Sequence, residues 1–240
     1  MKFFKAQCEP LKAAACLVVL ATMAACASTT VSDREQVATG NIPRPGQIWV
    51  YPFAATPADV PPESALASQA NASPQSAEQI AEGRKLGSQI ATQLVQEIIG
   101  MGLPAAIASA ATRPQLNDLV IEGSLLSVQQ GSAAERVTIG FAAGESEMKV
   151  AVEGFQMTAV GLRKLGSGDV GSTGSKTPGS AVGLATLIAT HNPAGFIVST
   201  GMKVYGEKSG SNTIEGRDKQ IAQKIGAALK TRFQQQGWVT

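Results

Sequence analysis

Gly166-Ser167-Gly168-Asp169-Val170-Gly171 spells G-x-G-x-x-G, the spacing that lets a dinucleotide's pyrophosphate lie against the backbone where a helix begins. The chemistry needs that helix, and residues 172–179 offer Gly174, Pro178 and Gly179 in its place. No acid stands near position 190 to hold a ribose. Residues 168–177 also approach a phosphate loop, but Ser175 takes the place of the glycine before Lys176. Both stretches read as glycine-rich loop, and no cofactor is expected. His191 is the only histidine and the cysteines are Cys8, Cys16 and Cys26, so a zinc site lacks its ligands. His191 has no G-x-S-x-G serine to activate and reads as a polar turn residue before Asn192-Pro193. Glu145, Glu147 and Glu153 could pair for glycoside chemistry, yet carboxylates so spaced are more often a solvated strand face. No catalytic or metal-binding residue is assigned, and the chain is expected not to be an enzyme.

The remaining reactive group is a thiol at the end of a leader. Lys2, Lys5 and Lys12 precede the apolar run Ala13–Ala25, the arrangement of a secretory signal. That run is ~13 residues, short of the ~20 that a helix needs to cross a bilayer. Met23-Ala24-Ala25-Cys26 resembles the bacterial lipobox, with Met23 where leucine is usual. The resemblance implies cleavage of residues 1–25 and covalent diacylglycerol and N-acyl chains, palmitate among them, on Cys26. The alternative is an ordinary signal cut after Ala-x-Ala. Ala27-Ser28 follow with no aspartate, which by resemblance to enterobacterial lipoproteins implies the periplasmic face of the outer membrane. Each buried methylene of such an anchor contributes ~0.8 kcal/mol. The leader carries Lys2, Lys5 and Lys12 against Glu9, so its loss takes the formal charge from +2 to zero. Nucleic acid is therefore not an expected partner. Cys26 becomes the lone cysteine, and an intramolecular disulfide is impossible.

Periodicity divides the rest. Residues 26–45, polar and rich in turn formers, read as a lipidated flexible tether. Residues 47–53 form the first strand and residues 57–74, with four prolines, a loop. Ser76 and Gln79 make a capping box for a helix ending at Gly100, with Ile80, Gly83, Gly87, Ile90, Leu94 and Ile98 on one stripe. Two glycines inside that helix predict close backbone approach, to a sheet or to a partner helix. Strands are expected over 103–109, 119–128, 136–144 and 148–160, the last bulged at Gly154, with 160–165 pairing across a turn. Residues 161–183 hold seven glycines. Residues 180–188 and 194–204 read as a short helical hairpin, with a glycine-rich strand pair as the alternative. A last helix spans 213–236, capped by Asn212 and Glu215 and closed by Gly237 with Trp238 packing on Phe233.

The pattern predicts one α/β (α+β) domain over 46–240. It is a sandwich of a mixed sheet with two main helices and a glycine-rich helical-hairpin insert at 161–211. The lipobox, the 48–53 strand, the capped helix, the Asp118–Gly123 strand and the closing Glu215-Gly216-Arg217…Gly237-Trp238 helix together resemble bacterial lipoproteins of domain-of-unknown-function family 4410. That resemblance implies no activity and no catalytic residue. More distantly, the strand–helix–strand start resembles periplasmic lipoproteins of the curli-secretion and peptidoglycan-synthase-activator type, which implies binding or assembly by fold analogy alone. The expected role is a lipid-anchored accessory that holds other envelope proteins. Its candidate contact surface comprises Gly179, Leu184, Leu187, Phe196, Ile197 and Tyr205, apolar positions in a stretch that core packing does not explain. The alternatives are a homo-oligomeric export component and, behind it, a cell-wall or glycan hydrolase.

Overall fold

β4 (Leu119–Gln129) organises the sheet because its sequence, LVIEGSLLSVQ, is β-rich and sends Leu119, Ile121 and Leu125 into the core while both its edges are paired. A computed structural model describes residues 28–37, 40–62, 64, 75–129, 147–173, 197–199 and 214–240. In chain order they form β1 (Ser28–Gln36), β2 (Ile48–Val50), a 3₁₀ turn at Pro57–Asp59, α1 (Ala77–Gly100) and β3 (Ala105–Ile107). β4, β5 (Glu147–Thr158), β6 (Gly161–Thr173), β7 (Ile197–Ser199) and α2 (Ile214–Gln235) follow. The fold is the expected mixed α/β arrangement, a seven-stranded sheet in the order β1-β6-β5-β4-β2-β3, with β7 on β4 beyond β2. The antiparallel pairs are β1–β6, β6–β5 and β5–β4, while β2, β3 and β7 join in parallel. Both helices pack on one sheet face, and the core between them includes Ile48, Leu86, Ile90, Leu94, Ile121 and Ile225.

The close approach predicted by the glycines of α1 is made to the chain leaving β2. Phe53 N–H donates to the Gly87 carbonyl at 3.2 Å, and Ala54 N–H to the Gly123 carbonyl at 2.8 Å. A Cβ on Gly87 would stand 2.0 Å from the Phe53 carbonyl oxygen, and one on Gly123 would stand 2.3 Å from the Phe53 ring. The Phe53 side chain is thereby clamped between helix and sheet, 1% exposed.

Local signals held where they were strong. Ser76 and Gln79 form the reciprocal capping box on α1. Gly237 has φ +72, its N–H donates to the Gln234 carbonyl, and Trp238 N–H donates to that of Phe233. This is a Schellman stop, with the two rings 5.4 Å apart. The β5 bulge lies at Gly154/Phe155, against β6.

Three expectations are corrected. The tether expected over 26–45 contains the nine-residue strand β1, paired with β6 from Ser28 to Gln36. Beyond it, Ile42 N–H donates to Gln236 Oε1 at 2.8 Å and Pro45 is buried. The insert expected from 161 begins instead as β6, hydrogen-bonded on both sides, which glycine tolerates because backbone rather than side chain supplies the ladder. The helical arm expected over 194–204 holds a strand at Ile197–Ser199, so a helix there is excluded at those residues. The arm over 180–188, the strand over 136–144 and the Asn212 cap lie outside the described residues.

Replacing Gly87 or Gly123 with alanine should cost about 1–3 kcal/mol, because a methyl would meet Phe53 with no room to move. Gly100→Ala, whose Cβ meets nothing within 4 Å, should stay within about 0.5 kcal/mol of the parent. Denaturant midpoints at unchanged slope measure both.

Candidate functional site: an apolar cleft backed by a buried charged face

Because the strand period is two, one sheet face meets the helices and the other carries a separate set of residues. Glu122 on β4 stands directly across from Glu153 on β5, and Ser124 across from Ala151. Both glutamates are buried, 2% and 4% exposed. Like charges so placed repel. A cation offsets this at Glu153, where Lys164 Nζ lies 2.8 Å from Oε1, and a second ion pair on these strands joins Lys149 Nζ to Asp169 Oδ2 at 3.1 Å. Ser64 Oγ donates to Glu153 Oε2, so both oxygens of that carboxylate are engaged. Glu153 is therefore not on the solvated face that its spacing predicts. Its partners come from β4, β6 and the loop after the 3₁₀ turn, none adjacent in sequence. Glu145 lies outside the described residues. Among the described residues no group of three His, Cys, Asp or Glu side chains could hold a metal ion.

Other polar groups fasten elements together. Asp118 Oδ2 accepts from Trp49 Nε1 at 3.0 Å and from Gln115 N–H at 2.8 Å, joining the entries to β2 and β4. Arg217, fully buried near the start of α2, donates to Gln220 Oε1, which also accepts from Ser172 of β6. Asp59 closes the 3₁₀ turn by accepting from Thr56 N–H and Oγ1, and it pairs with Arg84 of α1 at 2.8 Å. Burial alone would raise the Asp59 pKa, but the Arg84 and Thr56 hydrogen bonds and the Arg84 charge outweigh it and lower the value below 3.8.

On the helix side lies a cleft of ≈ 190 Å³. Its floor includes Val152 and Gly154 of β5 with Gly166, Gly168 and Val170 of β6. Register sets Gly154 against Gly166 and Val152 against Gly168, so glycine removes side chains from adjoining positions of one face. Leu229, Phe233 and Trp238 form the opposite wall, and Glu35, Gln36, Arg232 and Gln236 are its polar members. A Cβ on Gly154 would meet nothing within 4 Å.

Among the described residues, the cleft lining includes none of those expected to matter. Cys26, Gly179, Leu184, Leu187, Phe196 and Tyr205 lie outside the described residues, and Ile197 opens β7. The only sequence signal for the cleft was the glycine spacing, which reads as loop until the β5–β6 register is known. No helix among the described residues is long and apolar enough to cross a membrane.

Two outcomes follow from the ion pairs. Lys164→Met should destabilise by about 3 kcal/mol, as removing one partner of a buried pair does, and adding Glu153→Gln should restore part of that. Urea midpoints of both single variants and the double variant measure the coupling. Because the folded Asp59 pKa is depressed, its contribution is present above pH 3.8 and fades as pH falls through the folded value. Arg84→Gln should therefore lower Tm at neutral pH, and its deficit from the parent should close in acid.

Solved structures similar to the chain include a PelC dodecamer from Paraburkholderia phytofirmans, at 12% identity and TM-score 0.38, covering 81% of this chain and 96% of that one. A variant of the same protein matches at 16% identity and TM-score 0.34, over 68% of this chain and 94% of that one. No curated protein matches. The profile of a domain of unknown function, DUF4410, matches residues 48–190, more than half the sequence, and the chain belongs to that family.

Proposed function

We propose that the chain is an envelope protein anchored through lipid on Cys26 to the periplasmic face of the outer membrane. It acts without chemistry of its own, by holding other envelope proteins. The observation that carries this reading is the position of β1. Its first residue, Ser28, lies two positions after Cys26 and is already paired with Thr173. Two extended residues reach ~7 Å, so an acylated Cys26 would hold the sheet against the bilayer rather than at the end of a long tether.

Register supports the same orientation. Ser28, Thr173, Glu147, Gln129 and Ser199 form one row across the sheet. The connections 130–146, 174–196 and 200–213 leave from or return to within three residues of that row. Gly179, Leu184, Leu187, Phe196 and Tyr205 belong to two of these connections, so an anchor at Cys26 would bring the attachments of the proposed contact segments to the same end of the sheet.

Cys26→Ser should abolish palmitate incorporation and release the chain from the membrane fraction. Leu184→Glu with Leu187→Glu should leave anchoring and Tm unchanged while removing proteins that co-purify after solubilisation. A mature chain with an unmodified Cys26 thiol overturns the anchor. Unchanged co-purification overturns the contact surface. A complex whose mass is a multiple of this chain alone replaces the accessory role with self-assembly.

A further inference from the structure

We infer that the cleft between α2 and the sheet is a binding site for the hydrocarbon chain of a small single-chain amphiphile, such as a medium-chain fatty acid. Its volume of ≈ 190 Å³ exceeds the roughly 150 Å³ in which an apolar cavity holds benzene. A recess of that size suits one short hydrocarbon chain. Val31, Val152, Val170, Leu229, Phe233 and Trp238 supply apolar lining from three strands, α2 and the segment after it. Arg232, at the end of α2, is the cation of the lining and the group that would meet a carboxylate head.

The floor separates this cleft from an ordinary packing gap. Valine and glycine alternate on β5 and β6, Val152–Gly154 and Gly168–Val170, so that a valine faces a glycine across the ladder at one step and two glycines face each other at the next. The result is a floor without side chains at three adjoining positions, Gly154, Gly166 and Gly168. Gly154 has no positive φ and open space at its Cβ, so neither backbone conformation nor crowding requires glycine there. A larger residue would complete the core at that position, and its lack leaves room for a ligand. The inference concerns the helix side of the sheet and stands whether or not Cys26 carries lipid.

The test is photo-crosslinking with octanoic acid bearing a diazirine at its tail, on the full chain in lipid nanodiscs, with adducts located by mass spectrometry. Adducts on Val152, Leu229 and Trp238 that unlabelled octanoic acid competes away are the expected result. Gly154→Leu should reduce them about tenfold or more, the scale on which a methylene or two decides entry to a hydrophobic pocket, with Tm no lower than the parent's. Ala228→Phe fills the cleft from the helix and serves as the second variant if Gly154→Leu disturbs the β5 bulge. Equal labelling in a folded filled variant overturns the inference. So does labelling confined to the exposed side chains of Leu116 and Val160, which would be surface adsorption.

Discussion

Phe53 is the point at which three parts of the chain must agree. Its ring lies on Gly123 of β4, its carbonyl lies against Gly87 of α1, and its N–H donates to that glycine's carbonyl. Helix and sheet therefore meet through backbone, closer than an ordinary side-chain layer allows. Interiors packed this tightly transmit strain and leave no slack for a methyl. The same contact sets where β2 ends, since the chain must turn after Val50 to bring Phe53 under the helix. From there Ala54 bridges to Ser124 and continues the edge of β4 that β2 began and β7 resumes.

How much of this was legible depended on whether a signal was local. The capping box at Ser76, the Schellman stop at Gly237-Trp238 and the Gly154 bulge rest on neighbours within a few residues, and all are present. The two glycines inside α1 announced a close approach without naming Phe53. Of β6 only the start, residues 160–165 pairing with β5 across a turn, was expected, because the later part of GLRKLGSGDVGST is studded with glycine. β1 was missed because STTVSDREQ has little hydrophobic alternation, and it is a strand by virtue of a partner more than a hundred residues away. The Glu122–Glu153 pair and the cleft floor were hidden for the same reason. They are facts of register, which only pairing creates.

The family match and the cleft divide the molecule in an instructive way. Residues 48–190 contain β2 through β6 and α1, hence the floor of the cleft. β1 and α2, which supply its sides and roof, lie outside that stretch. On the opposite face, Glu153 is held by Lys164 and Ser64 while the cleft runs over the neighbouring glycines. One strand thus carries a fixed electrostatic network on one side and an incompletely filled apolar layer on the other.

The bond from Ile42 to Gln236 joins positions 194 residues apart, and β1 meets β6 across more than a hundred residues. Loop closure over such separations costs entropy before its contacts form, so long-range pairings are slow. Until β6 reaches it, β1 is therefore an unpaired strand edge, open to pairing with other chains. Helpers that shield unfolded chains would find purchase on this protein in that interval.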